Sequence, residues 1–171
     1  MSQPGEPEKP LADSLREEFG EAIESVRPSG GDLTVRVRRD DLAAVCAALK
    51  EKHGFTYLVD LCGVDFPDRE ARFEVVYHLC DPAANRRLRL KVTAGEGTSV
   101  PSVTGVWRAA HGYEREVWDL FGVRFEGHPD LTRILLREGF EGHPLRKDFP
   151  LEGPLEGSGA GDAGKAEELE A

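Results

Sequence analysis

The sequence has no run of eighteen or more apolar residues, so no stretch of it is long and apolar enough to cross a bilayer as a helix. It also lacks any C-x-x-C pair. Its three cysteines, Cys46, Cys62 and Cys80, are scattered, and each sits in an apolar stretch. Structural zinc and iron–sulfur clusters ordinarily take four ligands, mostly thiolates, often at short spacings. The cysteines therefore read as small buried hydrophobes in a reducing compartment, with no metal ligand among them. Positive charge is scarce, with 22 Lys and Arg against 32 Asp and Glu and a net charge of −10. A chain so acidic lacks the electrostatic footprint that attracts phosphate backbones or anionic lipids, so no nucleic-acid partner is expected. The acidic, proline-rich start from Met1 to Pro10 has neither a basic n-region followed by an apolar h-region nor an Arg-rich amphipathic pattern. The expectation is a bacterial cytoplasmic chain, neither exported nor sent to a mitochondrion.

What is present is one domain's worth of core, 39% apolar residues in a chain of 171. Composition divides it into a disordered lead-in over 1–10, an α/β domain over 11–125, an extended arm over 126–152 and a disordered acidic tail over 153–171. Leu11, Leu15, Phe19, Ile23 and Val26 recur at helical spacing, with Pro28, Gly30 and Gly31 as the stop. Leu33, Val35 and Val37 alternate with polar residues as a half-buried strand. Asp40 or Asp41 is placed to cap a second helix with the stripe Leu42, Val45, Cys46 and Leu49, stopped at Gly54. The apolar run Phe55–Val64 reads as a central strand. Strands over Arg72–Leu79 and Leu88–Val92 follow, the first reached through a turn at Pro67-Asp68. The fold class expected is α+β, a two-layer α/β domain with a mixed, largely antiparallel sheet followed by an extended C-terminal arm.

Most of the chemical information lies between His111 and Leu151. A helix is expected from Gly112 to Gly122, with Tyr113, Val117, Leu120 and Phe121 on one face and Trp118 widening it. Glu114 falls inside that arc, whereas Arg115 and Asp119 lie opposite and can pair in solvent. A buried carboxylate needs a cationic or multi-donor partner, and Arg133, Arg137 and Arg146 are the arginines in reach of the reading. Glu114 can thus be a general acid or base, or a structural anchor. The anchor is preferred, because no nucleophile or metal motif accompanies it. Gly127-His128-Pro129-Asp130 and Gly142-His143-Pro144 then echo one another. Two histidines with Asp130 or Asp148 evoke a metal site, but the spacing is unlike H-E-x-x-H, and an imidazole before proline also serves as a turn-fixing hydrogen bonder. His53, His78 and His111 receive no role. Gly142–Leu151 is too proline-rich for a helix and carries Arg146 and Lys147 on an acidic protein, which suits either contact with a partner or packing on its own domain.

The run Glu114-Arg115-Glu116-Val117-Trp118-Asp119-Leu120-Phe121-Gly122-Val123-Arg124-Phe125-Glu126-Gly127-His128-Pro129-Asp130-Leu131, then Arg133-Ile134-Leu135 and His143-Pro144-Leu145-Arg146-Lys147-Asp148-Phe149-Pro150-Leu151, resembles the thirty-kilodalton subunit family of bacterial NADH:quinone oxidoreductase, respiratory complex I. Gly63-Val64-Asp65 and Arg72–Leu79 fit the same pattern, and the resemblance spans roughly residues 15–152. It implies a cofactor-free structural subunit of the peripheral arm, in a hetero-oligomer with the large quinone-site subunit and neighbouring iron–sulfur subunits. FMN and iron–sulfur clusters would be held by other subunits. Membrane association would come only through the complex, on the cytoplasmic side of a bacterial cell membrane. The chain would be part of a translocase without catalytic, cofactor-binding or metal residues of its own. Glu114, Arg115, Glu116, Asp119 and Gly122 become signature positions. His128, Pro129, Asp130 and Arg133, with His143, Pro144, Arg146, Lys147 and Asp148, become candidates for the shared interface. Two departures are visible: the sequence stops soon after Leu151, so a fusion to the large subunit is not expected, and Thr132 stands where many members have a second arginine. The equivalent subunit of a membrane-bound hydrogenase or alternative-donor complex is a second reading. A free-standing enzyme using Glu114 or the His128/His143 pair is a third.

Overall fold

A computed structural model describes residues 10–29 and 32–151. The expected lead-in up to residue 9, the stop at Gly30-Gly31, the last residue of the arm and the acidic tail over 153–171 lie outside the described residues. Helix α1 runs Leu11–Phe19, followed by a 3-10 turn at Gly20–Ala22 and strand β1 at Ile23–Ser29. Strand β2 (Asp32–Val37), helix α2 (Leu42–Glu51) and strands β3 (Tyr57–Asp65), β4 (Phe73–Asp81) and β5 (Arg86–Ala94) come next. A two-residue strand β6 (Val100–Pro101), helix α3 (Ala110–Phe121) and another short strand β7 (Phe125–Glu126) complete the regular structure.

The main sheet has the order β1-β2-β5-β4-β3, antiparallel throughout except for the parallel β2–β5 pair. This is the mixed, largely antiparallel sheet expected of the α+β class. Val35 and Val37, Leu88, Leu90 and Val92, and Val75, Tyr77 and Leu79 are all buried and share one core with Leu42, Val45, Cys46 and Leu49 of α2. The helices thus cover one face. The other face carries Thr34, Arg36, Glu74, His78, Arg89, Lys91, Asp60 and Cys62, as the period of two requires.

Three expectations fail here for identifiable reasons. The helix expected through Val26 ends at Phe19, because Gly20 takes φ +50 and the next apolar residues, Ile23 and Val26, pair with β2 as a strand. The run expected to be central, β3, is an edge strand, and Tyr57 and Val59 are exposed. Its apolar inner face is instead satisfied by α3. Asp41 stands at the N-terminus of α2, as expected, but makes no capping hydrogen bond, since a 3-10 turn over Arg39–Asp41 leads in.

Helix α3 approaches β3 so closely that a Cβ on Gly63 would lie 2.8 Å from the Phe121 ring. A strand glycine at such a contact marks close packing. Gly63→Ala is expected to destabilise the full chain by about 1–3 kcal/mol in denaturant titration, through overpacking. In a Phe121→Ala background the same change should cost clearly less, and equal costs in both backgrounds would show that the ring is not what the glycine accommodates.

Candidate functional site

Helix α3 ends at Gly122, which adopts the left-handed conformation (φ +79) and donates its N–H to Trp118. A side chain at this position would be strained, and there is no room for one: a Cβ would meet the His143 ring at 2.7 Å. His143 is held there by a hydrogen bond between Nδ1 and the Asp119 carbonyl at 2.8 Å, and the Leu145 N–H donates to the Leu120 carbonyl. The second Gly-His-Pro turn therefore seals the C-terminus of α3, whose last carbonyls have no partner within the helix.

Asp119 is fully buried, contrary to the expected solvent pairing with Arg115. The helical wheel places it opposite the Val117 face, but the returning chain covers that side. Its Oδ1 accepts from Arg133 at 2.5 Å, and its Oδ2 accepts the N–H groups of Ile134, Leu135 and Leu136 at 3.1, 2.9 and 2.9 Å. Burial alone would raise its pKa. The N–H groups of Leu136 and Leu135, together with the Arg133 guanidinium, outweigh that and hold it below the ordinary carboxylate value. Arg133 also donates to the carbonyls of Phe140 and Gly142. Arg115 instead donates to the Thr132 carbonyl, the Thr132 hydroxyl and the Arg133 carbonyl. Thr132, one of the two departures from the family pattern, thus has a structural role of its own.

Residues 127–151 contain no helix or strand and run as a series of turns along their own domain. Their far end is fastened by a second charge cluster. Arg72 grips Asp65 with two hydrogen bonds, at 2.7 and 2.9 Å, and reaches Asp148 at 2.8 Å. The Lys147 N–H donates to Asp65 at 2.7 Å, while Arg146 pairs with Glu96 and Asp148. Arg72 beside them holds the carboxyls of both Asp65 and Asp148 below the usual range.

Glu114 is fully buried, as the wheel predicts, but its partners are not arginines. Ser102 donates its hydroxyl at 2.7 Å and Val103 its N–H at 2.7 Å. The β6–β7 pair brings this loop over the helix, and Arg133 is already committed to Asp119. With no cation to offset burial, the Glu114 pKa is pushed up to about 7. A sealed carboxyl with these two donors anchors the 102–104 loop. Glu116 is exposed.

The two histidines of the echo are not brought together as a metal site. His128 Nε2 bonds the His111 carbonyl at 3.1 Å and its Nδ1 accepts the Asp130 N–H at 3.0 Å, the turn-fixing role expected of an imidazole before proline. Pro129 and Asp130 are exposed. What sequence reasoning missed lies elsewhere. Asp60, Cys62 and His78 converge on the sheet face opposite the described helices, their candidate ligand atoms all within 4.8 Å of one another. Cys46 is buried, but Cys62 and Cys80 are only half-buried, so not all the thiols are core hydrophobes. The missing signal was register, which neither composition nor local spacing supplies.

The family model for the respiratory-chain NADH dehydrogenase 30 kDa subunit matches residues 35–155. An NADH-quinone oxidoreductase subunit of Phenylobacterium zucineum is 62% identical over 108 residues, 63% of this chain and 52% of that protein. The same-named protein of Rhizobium johnstonii is 50% identical over 148 residues, 85% of this chain and 74% of that protein. This chain thus spans about half the length of the first relative and three quarters of the second. Among solved structures, a chain in the structure of the membrane-bound sulfane sulfur reductase, an archaeal respiratory membrane complex, matches with a TM-score of 0.71 at 27% identity, covering 82% of this chain and 84% of that one.

Two outcomes are expected from these contacts. Glu114 protonates near its ordinary value of 4.5 when unfolded and near 7 when folded, so the folded state binds more protons between those values. Stability should therefore fall as pH rises from about 4.5 to 7, by on the order of 3 kcal/mol, and level off above. Glu114→Gln, which keeps an acceptor for Val103, should flatten that slope in denaturant titrations of the full chain. An unchanged slope would mean that Glu114 is not the group responsible. Asp119→Ala leaves Arg133 and three N–H groups without their partner and should cost about 3–5 kcal/mol. Limited proteolysis should then cut within 127–151 while the sheet stays intact. Unaltered protection would show that the arm is held by other contacts.

Proposed function

Because the chain belongs to the family of the 30 kDa subunit of respiratory-chain NADH dehydrogenase, we propose that it is a structural subunit of the peripheral arm of a proton-translocating NADH:quinone oxidoreductase. In this reading it contributes shape and rigidity by packing against the large quinone-site subunit and its iron–sulfur neighbours, and carries no chemistry of its own. The observation that carries the packing role is how the arm spends its groups. Arg133, Arg146, Asp148 and the N–H groups of Ile134, Leu135, Leu136 and Lys147 are consumed in fastening it to α3, Glu96 and the Asp65–Arg72 pair, while Ile134, Leu135 and Leu145 stay 45%, 60% and 50% exposed. Apolar side chains held out on a rigid backbone suit a permanent interface better than a free surface.

That the flavin and iron–sulfur clusters belong to other subunits is part of the same proposal. Cys46 packs in the core between α2 and the sheet, whereas Cys62 and Cys80 belong to the opposite face, so the three thiols have no common point to share. The enzyme reading is disfavoured by the sealed environment of Glu114 and by the backbone bonds of His128 and His143. The likeness to a chain of the sulfane sulfur reductase complex supports the reading that this fold also serves complexes with other electron donors. The higher identity to the NADH-quinone oxidoreductase proteins favours the NADH-fed complex. Attachment to the membrane would come through those partners, since no helix among the described residues is long and apolar enough to cross it.

Co-expression with the neighbouring subunits tests this. Ile134→Gln combined with Leu135→Gln, which adds no charge beside Asp119, should abolish co-purification with the large quinone-site protein and quinone reduction by the assembly. The thermal midpoint of the full chain alone should be unchanged, because both side chains are exposed. Normal incorporation of the double variant would remove this face from the interface, and turnover of a substrate by the purified monomer would overturn the structural role itself.

A further inference from the structure

We propose that Asp60, Cys62 and His78 form a binding site for one zinc-class divalent ion on the sheet face that no described helix covers. Asp60 and His78 are direct cross-strand partners on β3 and β4, and Cys62 stands two residues further along β3 on the same face. A carboxylate oxygen, a thiol sulfur and an imidazole nitrogen are the three donor types that zinc takes from proteins. Here they lie within 4.8 Å of one another. Ligands of a tetrahedral ion at zinc distances are about 3.5 Å apart, so the donor atoms need to draw together by roughly 1 Å to close on an ion.

Three observations make this more than proximity. First, the register of β3 against β4 shifts between Leu58 and Asp60. Without that extra residue, Val59 would oppose His78 and Asp60 would turn to the core face. The bulge is what aims the carboxylate at the imidazole, a recurrent use of bulges beside functional sites. The Tyr113 hydroxyl from α3 donates to the Val59 carbonyl at 3.0 Å and fixes the bulged residue. Second, none of the three side chains has a hydrogen-bond or ion-pair partner among the described residues, so their lone pairs remain unspent. Third, three cations of this face already have partners: Arg36 and Lys91 hold Glu74, and Arg89 reaches the Thr34 hydroxyl, while Lys91 and Arg89 remain near enough to favour the Cys62 thiolate. Three ligands from one chain leave a tetrahedral ion one position for water or for a side chain of a docked neighbour. Zinc has no redox chemistry, so such a site is compatible with a protein that carries no electrons.

The test uses the full chain without an affinity tag, stripped by chelator and titrated with cobalt and then zinc. One cobalt per chain is expected, with thiolate-to-metal charge-transfer absorption that zinc bleaches. Cys62→Ser should abolish that band. Asp60→Asn and His78→Gln should weaken binding by about tenfold or more, and Cys80→Ser should leave it unchanged. A folded wild-type chain without the band, or a band that survives Cys62→Ser, overturns the proposal. A second measurement does not depend on the variants folding: zinc should slow alkylation of Cys62 in the wild-type chain at least about tenfold while sparing Cys80, as read by peptide mass. Equal alkylation of Cys62 with and without zinc also overturns it.

Discussion

Asp119 is enclosed on all sides yet kept ionised by a guanidinium and three consecutive backbone N–H groups. Those four donors come from Arg133–Leu136, a stretch with no regular structure that would otherwise have to leave its amides to water. The carboxylate therefore does for the arm what a helix or a sheet ladder does elsewhere: it supplies acceptors at a fixed place. The next stretch of the arm depends on it. Arg133, once oriented, collects the carbonyls of Phe140 and Gly142, and this brings His143 onto Gly122 and the end of α3.

The second fastening, at Arg72, obeys the same logic with a different geometry. Asp65 at the end of β3 and Arg72 just before β4 belong to one hairpin, and their two-pronged pair closes it. The arm reaches this pair with Asp148 and the Lys147 amide, so its far end rests on a structure that is complete without it. An arm with a buried anchor near its start and a hairpin-borne anchor near its end has little freedom between them. Its exposed leucines are thus presented in one arrangement, and little ordering entropy remains to be lost on association.

Much of this could be read from the residues in order. The alternation of Leu33, Val35 and Val37, the α2 stripe and the burial of Glu114 follow from periodicity, which is a property of neighbours in sequence. The class of the sheet followed too. The failures are those where the deciding contact is remote. Whether Phe55–Val64 is a central or an edge strand depends on α3, fifty residues later, supplying a lid for its inner face. Which acid Arg133 chooses depends on where residues 134–136 return. Asp119 looked solvent-facing because the wheel describes α3 alone, without the chain that later covers its back. The convergence of Asp60, Cys62 and His78 was hidden for the same reason, since a single bulged residue decides which side Asp60 faces.

The two edges of the main sheet bear on the protein before it meets any neighbour. An unpaired strand edge recruits strands from other copies, and β3, with Tyr57 and Val59 exposed, is a template of that kind. The bulge breaks its straight row of donors and acceptors, and the Tyr113 hydroxyl occupies the Val59 carbonyl. At the opposite edge β1 places Pro28 against Leu33, and proline has no N–H to offer an incoming strand. Both margins are therefore poor templates for self-association. A newly made chain is thereby guarded against edge-to-edge aggregation while its sheet margins stand open to solvent.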